Sequence, residues 1–144
     1  MIDDNGNEID QEILKDFLET SFNVLQELRE SLQAFNGVEA VTVFETFGQQ
    51  IDRIMGAACT LSLNSVGELT KYSKELSYKA SQINQIGKIL AVQSLLSQVI
   101  RMMEKILIKY QQDINETPEE LPVLVERLKI ASDQLGDLRT SVKV

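Results

Sequence analysis

The chain has 144 residues, 43% apolar and 25% charged, which is enough to bury one core without disulfides or a structural metal. Its formal charge of −8, from 14 Lys plus Arg against 22 Asp plus Glu, repels phosphate backbones, so nucleic acid is excluded as an expected partner. Histidine is absent, which removes the commonest general base, nucleophile activator and metal ligand, and no enzymatic activity, cofactor or metal is expected.

Residues 1–9 read as a flexible N-terminus preceding a single domain over 10–144. The run Met1-Ile2-Asp3-Asp4-Asn5-Gly6 lacks the basic start and apolar stretch of a secretory signal. From about Asp10 to Pro118 there is no proline, and apolar residues recur at three and four, which predicts helices rather than strands. The first helix is expected over about Asp10 to Phe35, on the stripe Leu14, Phe17, Leu25, Leu28, Leu32 and Phe35. Asn36-Gly37 supplies its stop. The second, about Glu39 to Leu61, carries Val41, Phe44, Ile51, Met55 and Ala58 on its apolar side. Ser65-Val66-Gly67-Glu68 has the spacing of a capping box and opens the third helix, which ends between Tyr78 and Gly87.

The fourth helix runs to about Asp113. Ile89, Val92, Leu96, Val99, Met103, Ile106 and Tyr110 form its stripe, widened by Leu95, Ile100, Met102 and Leu107 as for a helix between two neighbours. Thr117-Pro118-Glu119-Glu120 reads as a cap and first turn, although Pro122 shifts the start of the fifth helix toward itself. Leu121, Leu124, Leu128, Ala131, Leu135, Leu138 and Val142 then follow at three and four. The expected fold is all-α: an up-and-down antiparallel four-helix bundle with an additional fifth helix. An edge helix as regular as the fifth also suits pairing with a second copy of the chain. A single cysteine, Cys59, permits no internal disulfide and reads as a small core residue. No apolar run nears the ~20 residues of a membrane span. The expectation is a cytoplasmic protein with no membrane insertion.

In the second helix, Gly48, Asp52 and Gly56 stack four apart on a face away from the apolar side, with Gln49, Arg53 and Glu45 beside them. Each internal glycine costs a helix about 1 kcal/mol relative to alanine, a cost that packing of the apolar side does not require. The stretch Ile51-Asp52-Arg53-Ile54-Met55-Gly56-Ala57-Ala58-Cys59-Thr60-Leu61-Ser62-Leu63, continuing to Leu69, resembles the signature of histidine-containing phosphotransfer (HPt) domains. Gly56, Ala58, Thr60, Leu61, Leu63 and the apolar Ile54 carry the match. The resemblance implies an HPt-like bundle, yet the phosphoacceptor histidine falls on Asp52, the phosphoryl-neutralising lysine on Met55 and the second glycine on Ser62. A lone carboxylate without the Mg²⁺ cage of a receiver domain does not replace the imidazole.

What the resemblance implies is therefore a bacterial, phosphotransfer-incompetent protein of two-component or chemotaxis-type signalling. It would bind a response-regulator receiver domain or a histidine kinase through Glu45, Gly48, Gln49, Asp52, Arg53 and Gly56, with Asp52 placing a permanent negative charge at the phosphoacceptor position. Two other readings stand beside it. One is a generic helical adaptor or dimerisation bundle, and the other is a receiver phosphatase that positions water with an acid and an amide drawn from Glu45, Gln49 and Asp52.

Overall fold

The three-and-four spacing of apolar residues emerges as five α-helices in the computed structural model, which describes the backbone of residues 1–142 and the side chains of residues 1–135. They are α1 (Gln11–Ala34), α2 (Ala40–Thr60), α3 (Asn64–Ala80), α4 (Ile86–Gln111) and α5 (Leu121–Val142). Among the described residues there is no strand, only an isolated bridge between Ile2 and Glu8. The fold is all-helical. α1 packs against α2 and α4, while α3 packs against α2, α4 and α5, and α5 also touches α4.

Periodicity translates into burial most directly in α4, where all seven stripe positions from Ile89 to Tyr110 are buried. Leu95, Ile100 and Leu107 are buried with them, and Met102 is half-buried. In α5, Leu121, Leu124, Leu128 and Leu135 are buried and Ala131 half-buried, while Leu138 and Val142 lie outside the described side chains. The apolar side of α2 differs from the expected one. Its buried apolar side chains are Phe44, Phe47, Ile51, Ile54 and Ala58, whereas Val41 is 54% exposed and Met55 half-buried. At 100° per residue, Val41 sits about 100° round the helix from the centre of that stripe, so it projects off the packed side.

Helix ends leave unpaired backbone groups, and distant residues satisfy several of them here. Asp10 caps α1 locally, its Oδ1 accepting from the Glu12 and Ile13 amides at 2.9 and 3.2 Å. At the other end of α1, Gln93 of α4 donates from Nε2 to the carbonyls of Leu32 (2.6 Å) and Phe35 (3.1 Å). Gly37 then reverses the chain at φ +92°, with Ile86 packed on its α-carbon. α2 closes with Leu63 N–H on the Ala58 carbonyl and Ser62 N–H on the Cys59 carbonyl. Ser62 is left-handed there, at φ 55°, the position glycine usually takes in this motif.

The Ser65 capping box does not form. α3 starts at Asn64 with no side-chain cap from Leu63, and the Ser65 hydroxyl instead shares a 2.9 Å hydrogen bond with that of Thr117. The same bond takes Thr117 away from the start of α5, which begins at Leu121. There Pro122 lies in the first turn, where a missing N–H costs nothing.

The cap of α3 comes from the N-terminal segment, expected to be flexible but held by hydrogen bonds to two connections. Asp4 Oδ2 accepts from the Asn64 amide at 2.6 Å, and Asp4 N–H donates to the Ser62 carbonyl at 3.1 Å. Asn115 Nδ2 reaches Asp4 Oδ1 and the Ile2 carbonyl, both at 3.0 Å. Ile9 is buried in the core, which gives the segment an apolar anchor as well.

Tyr110, in the last turn of α4, is 1% exposed and its hydroxyl has no hydrogen-bond partner among the described residues. Burial raises the phenol above its ordinary range, and the charge of Asp4 adds to the shift. Above about pH 10 the unfolded chain therefore releases a proton that the folded chain retains, so stability falls as pH rises. Tyr110→Phe is expected to leave stability at neutral pH unchanged or raise it by up to ~1 kcal/mol, since an unsatisfied hydroxyl is removed. It should also flatten the alkaline decline. Urea unfolding at neutral pH and at about pH 11 checks both, and a loss above ~1.5 kcal/mol at neutral pH would show that the hydroxyl is satisfied in solution.

Candidate functional site

α2 presents one broad exposed face because its buried stripe is narrow. Glu45, Gln49, Asp52, Arg53 and Gly56 all lie on that face. Arg53 Nη1 donates to Gln50 Oε1 on the same helix at 3.0 Å. Gly56 is open: a Cβ built on it meets nothing within 4 Å. Its carbonyl accepts from the Thr60 hydroxyl at 3.0 Å, which ties down the last turn of α2 without covering the glycine.

Gly48 does not belong to this face. It is buried under α3, where an added Cβ would stand 2.7 Å from Tyr78 Cζ and 3.0 Å from Ser77 Oγ. Four residues are slightly more than a turn, so the Gly48-Asp52-Gly56 row winds around α2. One end of the row faces α3 and the other faces solvent. Gly48 serves close packing of two helices, and Gly56 serves access.

Asp52 sits between them with 48% of its side chain exposed, so it is not tucked into the core. Nor is it solitary. Lys74 of α3 brings Nζ to 2.7 Å from Asp52 Oδ1. That hydrogen bond raises the Lys74 ammonium above the usual lysine range, desolvation opposing it and the Asp52 charge assisting. The expected permanent negative charge is thus largely offset, and the face offers an ion pair. Met55, one turn along from Asp52, is half-buried, and the cation beside Asp52 comes from the neighbouring helix.

Sequence reasoning missed Lys74 and Tyr78, the two α3 residues that shape this region. Lys71, Lys74 and Lys79 are all polar positions of α3, and only packing shows that Lys74 turns to α2 while Lys79 donates to the Ser132 carbonyl at 3.2 Å. Cys59, read as a core residue, is exposed at the edge of the same face. Its Sγ is 3.6 Å from where a Cβ on Gly67 would stand.

The described residues contain no group of three or more Asp, Glu or Cys placed to hold a metal ion. Among them no helix is long and apolar enough to cross a membrane. Set against protein-family models, curated proteins and solved structures, the chain gave no match.

Proposed function

We propose that this chain is an HPt-like docking protein that binds the receiver domain of a response regulator, or a histidine kinase, and transfers no phosphate. The packing of α1 on α2 and α4, and of α3 on α2 and α4, supports a four-helix arrangement with α5 added against α3. The observation that carries the reading is the exposed Asp52 carboxylate at the phosphoacceptor position, beside the bare backbone of Gly56. A partner approaching this face meets Gln49, Asp52 and Arg53 without a bulky side chain at Gly56 to hold it off. Left-handed Ser62 supports the reading too, since the signature has a glycine there and glycine suits that backbone conformation. With no histidine in the chain, no imidazole receives a phosphoryl group.

The test uses a receiver domain phosphorylated on its aspartate. The full chain is expected to bind it and acquire no label. Gly56→Arg should weaken binding at least ~10-fold, about 1.4 kcal/mol. Its Tm should equal or exceed that of the parent, because glycine is the poorer helix former. Equal affinity of Gly56→Arg and parent eliminates this face. Faster loss of phosphate from the receiver, abolished by Gln49→Ala, would replace docking with the phosphatase reading. Absence of binding to receivers and kinases alike would leave a generic adaptor.

A further inference from the structure

An asparagine followed by glycine is prone to attack on its side-chain amide by the next backbone nitrogen, because glycine has no side chain to obstruct the approach. The chain contains two such pairs, Asn5-Gly6 and Asn36-Gly37, and both asparagines are exposed. Sequence and exposure treat them alike. Their hydrogen bonds do not.

Around Asn5 the groups that the reaction needs are already held. The Gly6 N–H donates to the Asp3 carbonyl at 3.2 Å, so the attacking nitrogen is tied to a different oxygen. The Asn5 and Asn7 amides donate to Asp3 Oδ1, both at 2.9 Å, which fixes the turn on either side. The Asn5 side chain reaches away from its own backbone, with Nδ2 donating to Ser62 Oγ at 3.0 Å.

Asn36 is arranged in the opposite way. Its Oδ1 accepts from the Val38 N–H at 3.1 Å, which closes an Asx turn and folds the carboxamide over the Gly37 peptide. That N–H also polarises the Cγ carbonyl and steadies negative charge developing on Oδ1 during attack. The Gly37 N–H has no hydrogen-bond partner among the described residues, so attack by its nitrogen breaks no existing bond. Val38 is 67% exposed, and water reaches the turn.

We propose that Asn36 is a modification site, at which the chain deamidates itself in water. Solvent hydroxide takes the Gly37 amide proton, and the nitrogen then bonds to Asn36 Cγ. The Cγ–Nδ2 bond breaks, Nδ2 takes a proton from water and departs as ammonia, and a cyclic imide remains. Water adds to either imide carbonyl and breaks its bond to nitrogen, leaving aspartate or, with the chain routed through the side chain, isoaspartate. Either product places a carboxylate just beyond α1, whose last turn has no basic residue to meet it. The site lies apart from the docking residues of α2 and stands whether or not they bind a partner.

The test incubates the full chain in mildly alkaline buffer, native and in denaturing urea, and follows both asparagines by peptide mapping with mass spectrometry. Each conversion is read as the mass gain of exchanging NH2 for OH, and chromatography separates aspartate from isoaspartate. In the native chain Asn36 is expected to convert at least ~10-fold faster than Asn5, about 1.4 kcal/mol in barrier. In urea the two rates should converge, because the hydrogen bonds that separate them are gone. Asn36→Gln, whose longer side chain closes the ring far more slowly, should remove most of the early product from the native chain. Native rates that are equal, or faster at Asn5, overturn the proposal. A preference for Asn36 that is as large in urea overturns it too, since the neighbouring side chains rather than the fold would then set it.

Discussion

Phe44→Ala is expected to lower the free energy of unfolding by about 3–5 kcal/mol, a large fraction of the ~5–15 kcal/mol that holds a domain of this size. Phe44 is fully buried in the first half of α2 and meets Phe35 edge to face, with ring centroids 5.5 Å apart at 72°. Truncation loses the transfer free energy of the ring and leaves a cavity that two fixed helices cannot close. It also removes the aromatic contact that joins the end of α1 to α2 across the turn at Gly37. Urea unfolding followed by circular dichroism should show a lower midpoint with an unchanged slope, and a Tm reduced on the order of 10 °C. A loss below ~1 kcal/mol would mean that this end of the helix pair is not packed as described.

Gly48→Leu is expected to destabilise by roughly 2–3 kcal/mol, the cost of overpacking a filled helix contact. The new Cβ enters the space of the Tyr78 ring and the buried Ser77 hydroxyl, and the branched remainder of leucine leaves the ring no room to swing aside. Gly48→Ala should be far milder, since its better helix propensity offsets a shift of the half-buried Tyr78. Tyr78→Ala in the Gly48→Leu background should recover part of the loss, so that the pair is less damaging than the sum of the singles. Additive losses would show that Tyr78 does not cover Gly48. Gly56→Ala, at an open site on the same helix, should instead stabilise by up to ~1 kcal/mol. Two glycines eight residues apart thus carry opposite expectations, and chemical denaturation of the variants distinguishes them directly.

That contrast locates what could be read before folding. The helices were legible because apolar periodicity is a local property: the α4 positions from Ile89 to Tyr110 are buried as their spacing requires. The Gly37 stop is also short-range, resting on one backbone angle. The exposed face of α2 was legible in part, since Glu45, Gln49, Asp52, Arg53 and Gly56 do share it.

Other features depend on which helix lies alongside. Lys74 reaches Asp52 across 22 residues of sequence, Ser65 meets Thr117 across 52, and Asp4 caps α3 across 60. No spacing rule encodes such pairs, because a helix pattern shows which residues share a side but not which neighbour that side meets. The amino-acid order by itself determined five amphipathic helices and the outward position of a carboxylate on the second. Tertiary packing alone decided that Gly48 is covered, that Gly56 is open and that Asp52 carries a lysine partner, because inter-helix distances arise only once the helices have closed on a common core.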